Sequence, residues 1–229
     1  MASDERKRDY INTTYHLILR DGLDSITIRS VASEMGVTSG ALYKHFDSLD
    51  VLLTYSSIRF LKDYARDARV LSRVELEPMQ LAIQLWECMA YYGFRNVPVF
   101  EYLFFKQKSV HVRDIMFDYY RLFPEEIADV REYVATFMAN DSLIERGFVV
   151  LSRAAELGMI DISDARYLSE VDAYLFQGML AAYRDTYEQP GKAQEATKKY
   201  LELLVKNYNS QIKSGNPILT VNPLIERPQ

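Results

Sequence analysis

The stretch TIRSVASEMGVTSGALYKHF (27–46) constrains local structure more than any other part of this chain, because nearly every position in it starts, stops or packs a helix. Thr27 is placed to cap a first helix, its hydroxyl accepting from the free N–H groups of the opening turn. Ile28, Val31, Ala32 and Met35 follow at helical spacing, opposite Arg29, Ser30, Ser33 and Glu34. Gly36 stands where a left-handed residue ends the helix, and Val37 can turn inward to seal the corner. Thr38 caps a second helix, and the small Ala32 leaves room for Ala41 and Leu42, so the two helices cross steeply. The second helix opens on Thr38, Ser39, Gly40 and Ala41, whose small side chains permit close approach to base edges. It closes on Tyr43, Lys44 and His45, which can donate to phosphate oxygens, so the stretch reads as a DNA-binding helix-turn-helix.

The same residues carry a resemblance. Gly22, Thr27-Ile28-Arg29, Val31-Ala32, Gly36-Val37, Gly40, Leu42-Tyr43, His45-Phe46 and Leu52-Leu53, spread over residues 8–60, are similar to the tetracycline-repressor (TetR) family of one-component transcription regulators. The resemblance implies an all-α homodimer, with an N-terminal three-helix DNA-binding domain containing the helix-turn-helix and a larger helical effector-binding and dimerisation domain after it. Carried over by position, it implies that Thr27 and Arg29 touch phosphate or bases, that Thr38, Ser39 and Gly40 read bases, and that Tyr43, Lys44 and His45 grip backbone. The implied partners are a palindromic double-stranded DNA operator, a small-molecule effector and a second copy of the chain. One position departs from the family pattern: the lysine usual three residues after the motif's Phe is Leu49 here, which removes a phosphate contact.

Composition narrows the other classes. With 229 residues and 48% hydrophobic content, the chain can bury a full core and is long enough for one small and one larger helical domain. Cys88, the single cysteine, lies in the apolar run LAIQLWECMAYYGF, which reads as a buried thiol and leaves no disulfide framework or cysteine metal site. No apolar run approaches about 18 residues, and MASDERKRDY lacks a signal-peptide core, so a cytoplasmic protein off the membrane is expected. His16, His45 and His111 have no metal-ligand spacing, and no P-loop or dinucleotide glycine motif occurs, so neither catalysis, metal nor cofactor is expected. Charge opposes DNA binding: the chain carries −5, and residues 1–50 hold six basic against eight acidic side chains. Affinity follows local potential, so Arg6, Lys7 and Arg8 are expected to form an arm, aided by helix N-termini at Thr27 and Thr38.

Punctuation divides the rest into a DNA-binding domain at 1–47, a ligand-binding and dimerisation domain at 48–214 and a tail at 215–229. A helix over 48–69, with Val51, Leu52, Tyr55, Ile58, Leu61 and Tyr64 on one side, links the domains as a lever. Pro78 starts a helix running to Gly93, and Pro98 separates it from VFEYLFFKQK. A segment over 110–122 meets Pro124, which opens a helix PEEIADVREYVATFMAN; Ser142 with Glu145 caps a helix ending at Gly158, and Ser163 starts another. Gln189-Pro190-Gly191 then turns a hairpin between helices over 163–187 and 192–213. Tyr167, Val171, Tyr174, Leu175, Gly178 and Ala182 on the first, with Ala196, Tyr200 and Leu203 on the second, are the expected dimer interface. The tail, despite three prolines, carries Ile218, Leu219, Val221, Leu224 and Ile225 and is expected to dock in a groove.

Residues 79–138 are dense in Met and aromatic side chains, which suit a pocket for a flat or greasy molecule. The expected lining is Trp86, Met89, Tyr92, Phe100, Phe104, Met116, Tyr120 and Phe137. Together these features predict a sequence-specific DNA-binding regulator, a repressor released by a small hydrophobic or aromatic effector. The alternative is a helical small-molecule-binding protein whose helix-turn-helix binds DNA weakly or not at all, favoured by the acidic charge and by Leu49.

Overall fold

The computed structural model describes residues 2–107, 110–127, 140–221 and 225, and every regular element among them is helical, as the sequence predicts. The chain divides into two compact units, Met1–Asp63 with Pro98–Ala128, and Tyr64–Val97 with Asp129–Gln229.

The first unit begins with α1 (Ala2–Asp21), whose Tyr10, Ile11, Thr14, Leu17 and Ile18 are buried at helical spacing. Helix α1 packs on α4 (Leu49–Ile58), which Ser48 caps by accepting from the Val51 N–H at 3.2 Å. From Leu52 to Ile58 every residue of α4 is buried, since α8 (Val112–Leu122) also lies against it. A helix so covered must satisfy its own polar side chains. Thr54 and Ser56 do so by donating to the carbonyls of Asp50 and Leu52, at 2.7 and 2.9 Å. Three expected boundaries are corrected here. The lever is interrupted by a 3-10 turn at Arg59–Leu61 and resumes as α5 (Lys62–Leu71). Pro98 lies in the first turn of α7 (Val97–Glu101), where its missing N–H has no intrahelical partner to lose, and a π-helical turn, Tyr102–Lys106, follows. Pro124 opens only a 3-10 turn to Glu126, and the remainder of the helix expected there, 128–139, lies outside the described residues.

The second unit is built on α6 (Pro78–Gly93), α9 (Leu143–Glu156), α10 (Ile162–Tyr183) and α11 (Lys192–Gln211). Helix α9 starts as expected, the Ser142 hydroxyl accepting from the Glu145 N–H at 3.3 Å. It ends in a left-handed Gly158 (φ +73°), with the Met159 N–H bonded to the Ala154 carbonyl and the Gly158 N–H to that of Ala155. This tight stop folds α10 back on α9, and Gly147 is where the two helices touch: a Cβ there would meet the Ser169 side chain at 3.4 Å. Helix α10 begins at Ile162, one residue before the expected Ser163, and ends at Tyr183 rather than 187. The core joins α6, α10 and α11 through aromatic rings, Trp86 lying 5.7 Å from Phe176 and 5.6 Å from Tyr200. Of the tail, Leu219 is buried, and Asn209 of α11 holds its backbone N–H and carbonyl at 2.9 and 3.0 Å. Ile218 is 81% exposed, while Leu224 lies outside the described residues.

Candidate nucleic-acid interface and ligand cleft

Helix α2 (Ile28–Glu34) starts with a reciprocal cap in which the Ser30 N–H donates to the Thr27 hydroxyl at 3.0 Å and the Thr27 N–H to the Ser30 hydroxyl at 2.9 Å. It stops at Gly36 (φ +64°), where the Val37 N–H reaches the Ala32 carbonyl at 2.9 Å and the Gly36 N–H that of Ser33 at 3.1 Å. Val31 and Ala32 are buried, so the second short helix, α3 (Ser39–Leu42), is set against an apolar wall through the buried Leu42. Two details differ from expectation. Thr38 occupies the cap position of α3 but makes no capping hydrogen bond, and beyond Leu42 the chain tightens, with the His45 N–H on the Leu42 carbonyl at 2.9 Å.

Thr27, Arg29, Thr38, Gly40, Tyr43 and Lys44 are exposed, Tyr43 by 55%, and Ser39 is half-buried. A Cβ on Gly40 would meet nothing within 4 Å, so a bare stretch of backbone faces outward between Thr38 and Tyr43. His45 is the exception within the predicted set: it is half-buried, its ring 5.4 Å from that of Tyr10, and it packs the helix pair onto α1. Leu49, half-buried, is the first residue of α4.

The expected basic arm is corrected. Arg6, Lys7 and Arg8 belong to α1 and are held by carboxylates: Arg6 by Asp9 at 3.9 Å, Lys7 by Asp118 at 2.8 Å and Arg8 by Glu125 at 2.6 Å. Arg20 is likewise shared between Asp21 and Glu34. Of the six basic side chains in residues 1–50, only Arg29 and Lys44 make no ion pair among the described residues. Both lie on the helix-turn-helix. Lys7 is the most firmly committed of the others, since Tyr55 of α4 also donates to Asp118, at 2.5 Å. Burial opposes ionisation of Asp118, but hydrogen bonds from Lys7, Tyr55 and Arg121 outweigh it and hold its carboxyl down at about 2.

The second unit contains a cleft between α6 and α9. Ala82, Leu85, Trp86 and Met89 form one wall and Leu143, Arg146, Gly147 and Val150 the other, each at the spacing of a single helix face, and Tyr64 joins them from α5. The cavity volume is about 20 Å³, room for one water molecule. Of the predicted ligand residues, Trp86 and Met89 line this cleft, but Tyr92 does not; its hydroxyl donates to Asp67 at 2.8 Å. Phe100, Phe104, Met116 and Tyr120 belong to the first unit, where Phe100, Met116 and Tyr120 are buried and Phe104 half-buried, and none of them is in the lining of this cleft. Phe137 lies outside the described residues. Sequence reasoning missed Tyr64 and the whole α9 wall, although the spacing 143, 146, 147 and 150 was there to be read. It also missed Asp172 of α10, whose carboxyl is completely buried.

Along α10, Tyr167, Tyr174, Gly178 and Ala182 are exposed and Val171 and Leu175 half-buried, Tyr174 by as much as 61% exposure, so this stripe is open in the single chain. On α11 only Leu203 of the expected residues is exposed. Ala196 and Tyr200 are fully buried in their own unit, Tyr200 against Trp86 and Phe176, which removes them from a surface for a second copy.

Residues 11–55 match the family described as bacterial regulatory proteins, tetR family. An uncharacterized HTH-type transcriptional regulator, YerO, of Bacillus subtilis (strain 168) is 40% identical over 50 residues, 22% of this chain and 17% of the relative, so the chain matches about a sixth of that protein's length. Among solved structures, the fold is similar to the TetR family transcriptional regulator PfmR from Thermus thermophilus, with a TM-score of 0.54, 19% identity and coverage of 86% of this chain and 97% of that one. It is also similar to RolR in complex with resorcinol (TM-score 0.55, 13% identity, 96% and 98% covered). A third likeness is to SmeT, the repressor of a multidrug efflux pump of Stenotrophomonas maltophilia (TM-score 0.51, 15% identity, 96% and 97% covered). The capped, glycine-stopped helix pair thus lies within the N-terminal segment that matches the tetR family of bacterial regulatory proteins, and the all-helical architecture that continues beyond it is similar in fold to these solved regulators.

Proposed function

We propose that the chain is a dimeric, sequence-specific DNA-binding repressor acting in the cytoplasm, released from its operator by a small apolar molecule. The observation that carries this is the distribution of uncommitted positive charge: Arg29 and Lys44, without ion pairs among the described residues, flank the exposed Thr38 and Gly40 on the helix-turn-helix. Cations left unpaired beside a bare backbone suit a helix that must contact phosphate and approach base edges together. DNA reading is assigned to 1–47, effector binding and dimerisation to 48–214, and docking of the second unit's end to 215–229. The open α10 stripe supplies the mating face, Gly178 and Ala182 permitting close helix approach. The α6–α9 cleft supplies the effector site, as the RolR complex with resorcinol supports by its fold. It must open to admit a ligand, so the effector acts by stabilising an opened state that spaces the reading heads wrongly for DNA. The second reading, a ligand-binding protein that does not hold DNA, is favoured by the internal pairing of four of the six N-terminal cations. Selection of bound DNA from a random pool decides between them: a palindrome is expected, and absence of any enriched sequence refutes the DNA-binding reading.

A further inference from the structure

The basic end of α1 stands beside the helix-turn-helix, and acids from a distant part of the chain hold it. The Lys7 ammonium lies 5.6 Å from the ring of Phe46, the last residue of the motif, and the Arg6 guanidinium 5.5 Å from Tyr10, whose ring packs on His45. Asp118 of α8 receives Lys7 at 2.8 Å, Tyr55 of α4 at 2.5 Å and Arg121 at 2.8 Å, and Arg121 turns back to Asp4 of α1 at 3.3 Å. Glu125, just past α8, receives Arg8 at 2.6 Å. Both acids come from the segment 98–128, which the first unit takes from beyond α6 in the sequence. A carboxylate at these distances satisfies a lysine or arginine as a phosphate oxygen does, so a cation held this way reaches DNA only if its pair parts. The two pairs differ in strength. The Arg8 and Glu125 side chains are 39% and 56% exposed, where an ion pair is weak and screened by salt, whereas those of Lys7 and Asp118 are 19% and 30% exposed. Burial opposes ionisation of Asp118, but its donors hold the carboxyl down at about 2, so ordinary pH does not open the stronger pair.

Resting on the DNA-binding reading, we infer that Asp118, with Glu125 as the weaker partner, is an autoinhibitory mask that occupies Lys7 and Arg8 in place of phosphate and keeps the basic end of α1 off the duplex. The mask limits the electrostatic share of binding. Parting both pairs adds two cations per subunit to Arg29 and Lys44.

The test is the affinity of the full-length protein for an operator selected from a random pool, measured against salt. Asp118→Asn keeps an acceptor for Tyr55 but frees the charge of Lys7, and should steepen the slope of log affinity against log salt by about 1.8 for a dimer, at about 0.9 per phosphate. Lys7→Gln alone should leave the slope unaltered, and Lys7→Gln with Asp118→Asn should return it to the wild-type value. Asp114→Asn, at an exposed acid of the same helix, changes the net charge equally and should not steepen it. A folded Asp118→Asn protein, checked by circular dichroism, with an unaltered slope overturns the inference. So does a gain that survives the loss of Lys7 or is matched by Asp114→Asn. Should Asp118→Asn not fold, the exposed pair decides: Glu125→Gln should steepen the slope, Arg8→Gln should cancel that gain, and an unaltered slope overturns the mask. Where the wild type binds an operator and the variants only match it, the mask alone fails. Where neither wild type nor Asp118→Asn enriches any sequence, the DNA-binding reading fails and the mask with it, whereas enrichment by the variant alone supports the mask.

Discussion

Replacing Asp172 by Asn should convert a pH-dependent stability of the second unit into a nearly flat one. Asp172 is completely buried on α10; Tyr208 donates to one carboxyl oxygen at 2.6 Å, and the other oxygen has no hydrogen-bond partner among the described residues. Burial raises its pKa from 3.8 to about 8, opposed only in part by Tyr208 and Trp86. In the unfolded chain the group ionises near its ordinary value, whereas the folded chain keeps the proton to about 8, so between those limits the folded state holds one more proton. Stability from this group is therefore greatest in acid and falls as pH rises, by about 1.4 kcal/mol per pH unit, with an upper bound of about 5–6 kcal/mol over the whole window. Asn copies the protonated shape, its amide oxygen accepting from Tyr208. Between about pH 5.5 and about pH 7.5 the variant should gain about 2.7 kcal/mol on the wild type. Urea unfolding followed through Trp86, the single tryptophan, measures that gain. Glu126, also raised by burial, and Asp118, held down at about 2, are present in both proteins and cancel in the difference. A gap between the two proteins that stays constant to within about 0.5 kcal/mol would refute the assignment of a buried neutral acid.

Thr27→Ala removes the acceptor of the Ser30 N–H and should destabilise the first unit by about 1 kcal/mol, read by thermal unfolding; an unchanged midpoint would show the cap to be idle. Lys44→Ala should lower the magnitude of the slope of log affinity against log salt by about 1 per subunit on a selected operator, and an unaltered slope would place Lys44 away from phosphate. Gly178→Arg meets no atom within 4 Å of its Cβ in the single chain, so it should fold yet sediment as a monomer; a surviving dimer moves the mating face elsewhere.

What was legible in the sequence was whatever a few adjacent residues decide. Thr27, Gly36 and Ser142 act within four residues of themselves, and the structure places all three as their chemistry requires. The misplaced site residues share another cause, since each turns on a partner far along the chain. Lys7 finds Asp118 111 residues away, and nothing in ERKRD distinguishes a side chain bound to a distant carboxylate from one reaching for DNA. The aromatic residues after Pro98 looked continuous with those of α6 because composition does not record which body a segment joins. Tyr200 belongs to a periodic stripe on α11, but periodicity yields a face without saying whether its own core or another molecule covers it. Arg146 was passed over for the converse reason: a charge in the first turns of a helix reads as solvated, yet in the fold it is 1% exposed in the lining of the α6–α9 cleft.

If the proposed function holds, internal pairing of the basic side chains also bears on how such an acidic chain would hold DNA as a dimer and still let go. With Arg29 and Lys44 as its uncommitted cations in residues 1–50, a dimer offers four, for an expected salt slope near −3.6 at about −0.9 per neutralised phosphate. So small an electrostatic share leaves little attraction for DNA in general. More of the affinity must come from short-range contacts at Thr38, Ser39 and the open backbone of Gly40, which are lost steeply with distance, and from engaging two half-sites at once. A binding mode of that kind is sensitive to the spacing of its two heads. Under the proposed function, an effector coupling of only about 1–3 kcal/mol, the usual range, would then suffice to release the operator, because no large non-specific attraction would remain to hold a mis-spaced dimer on the duplex.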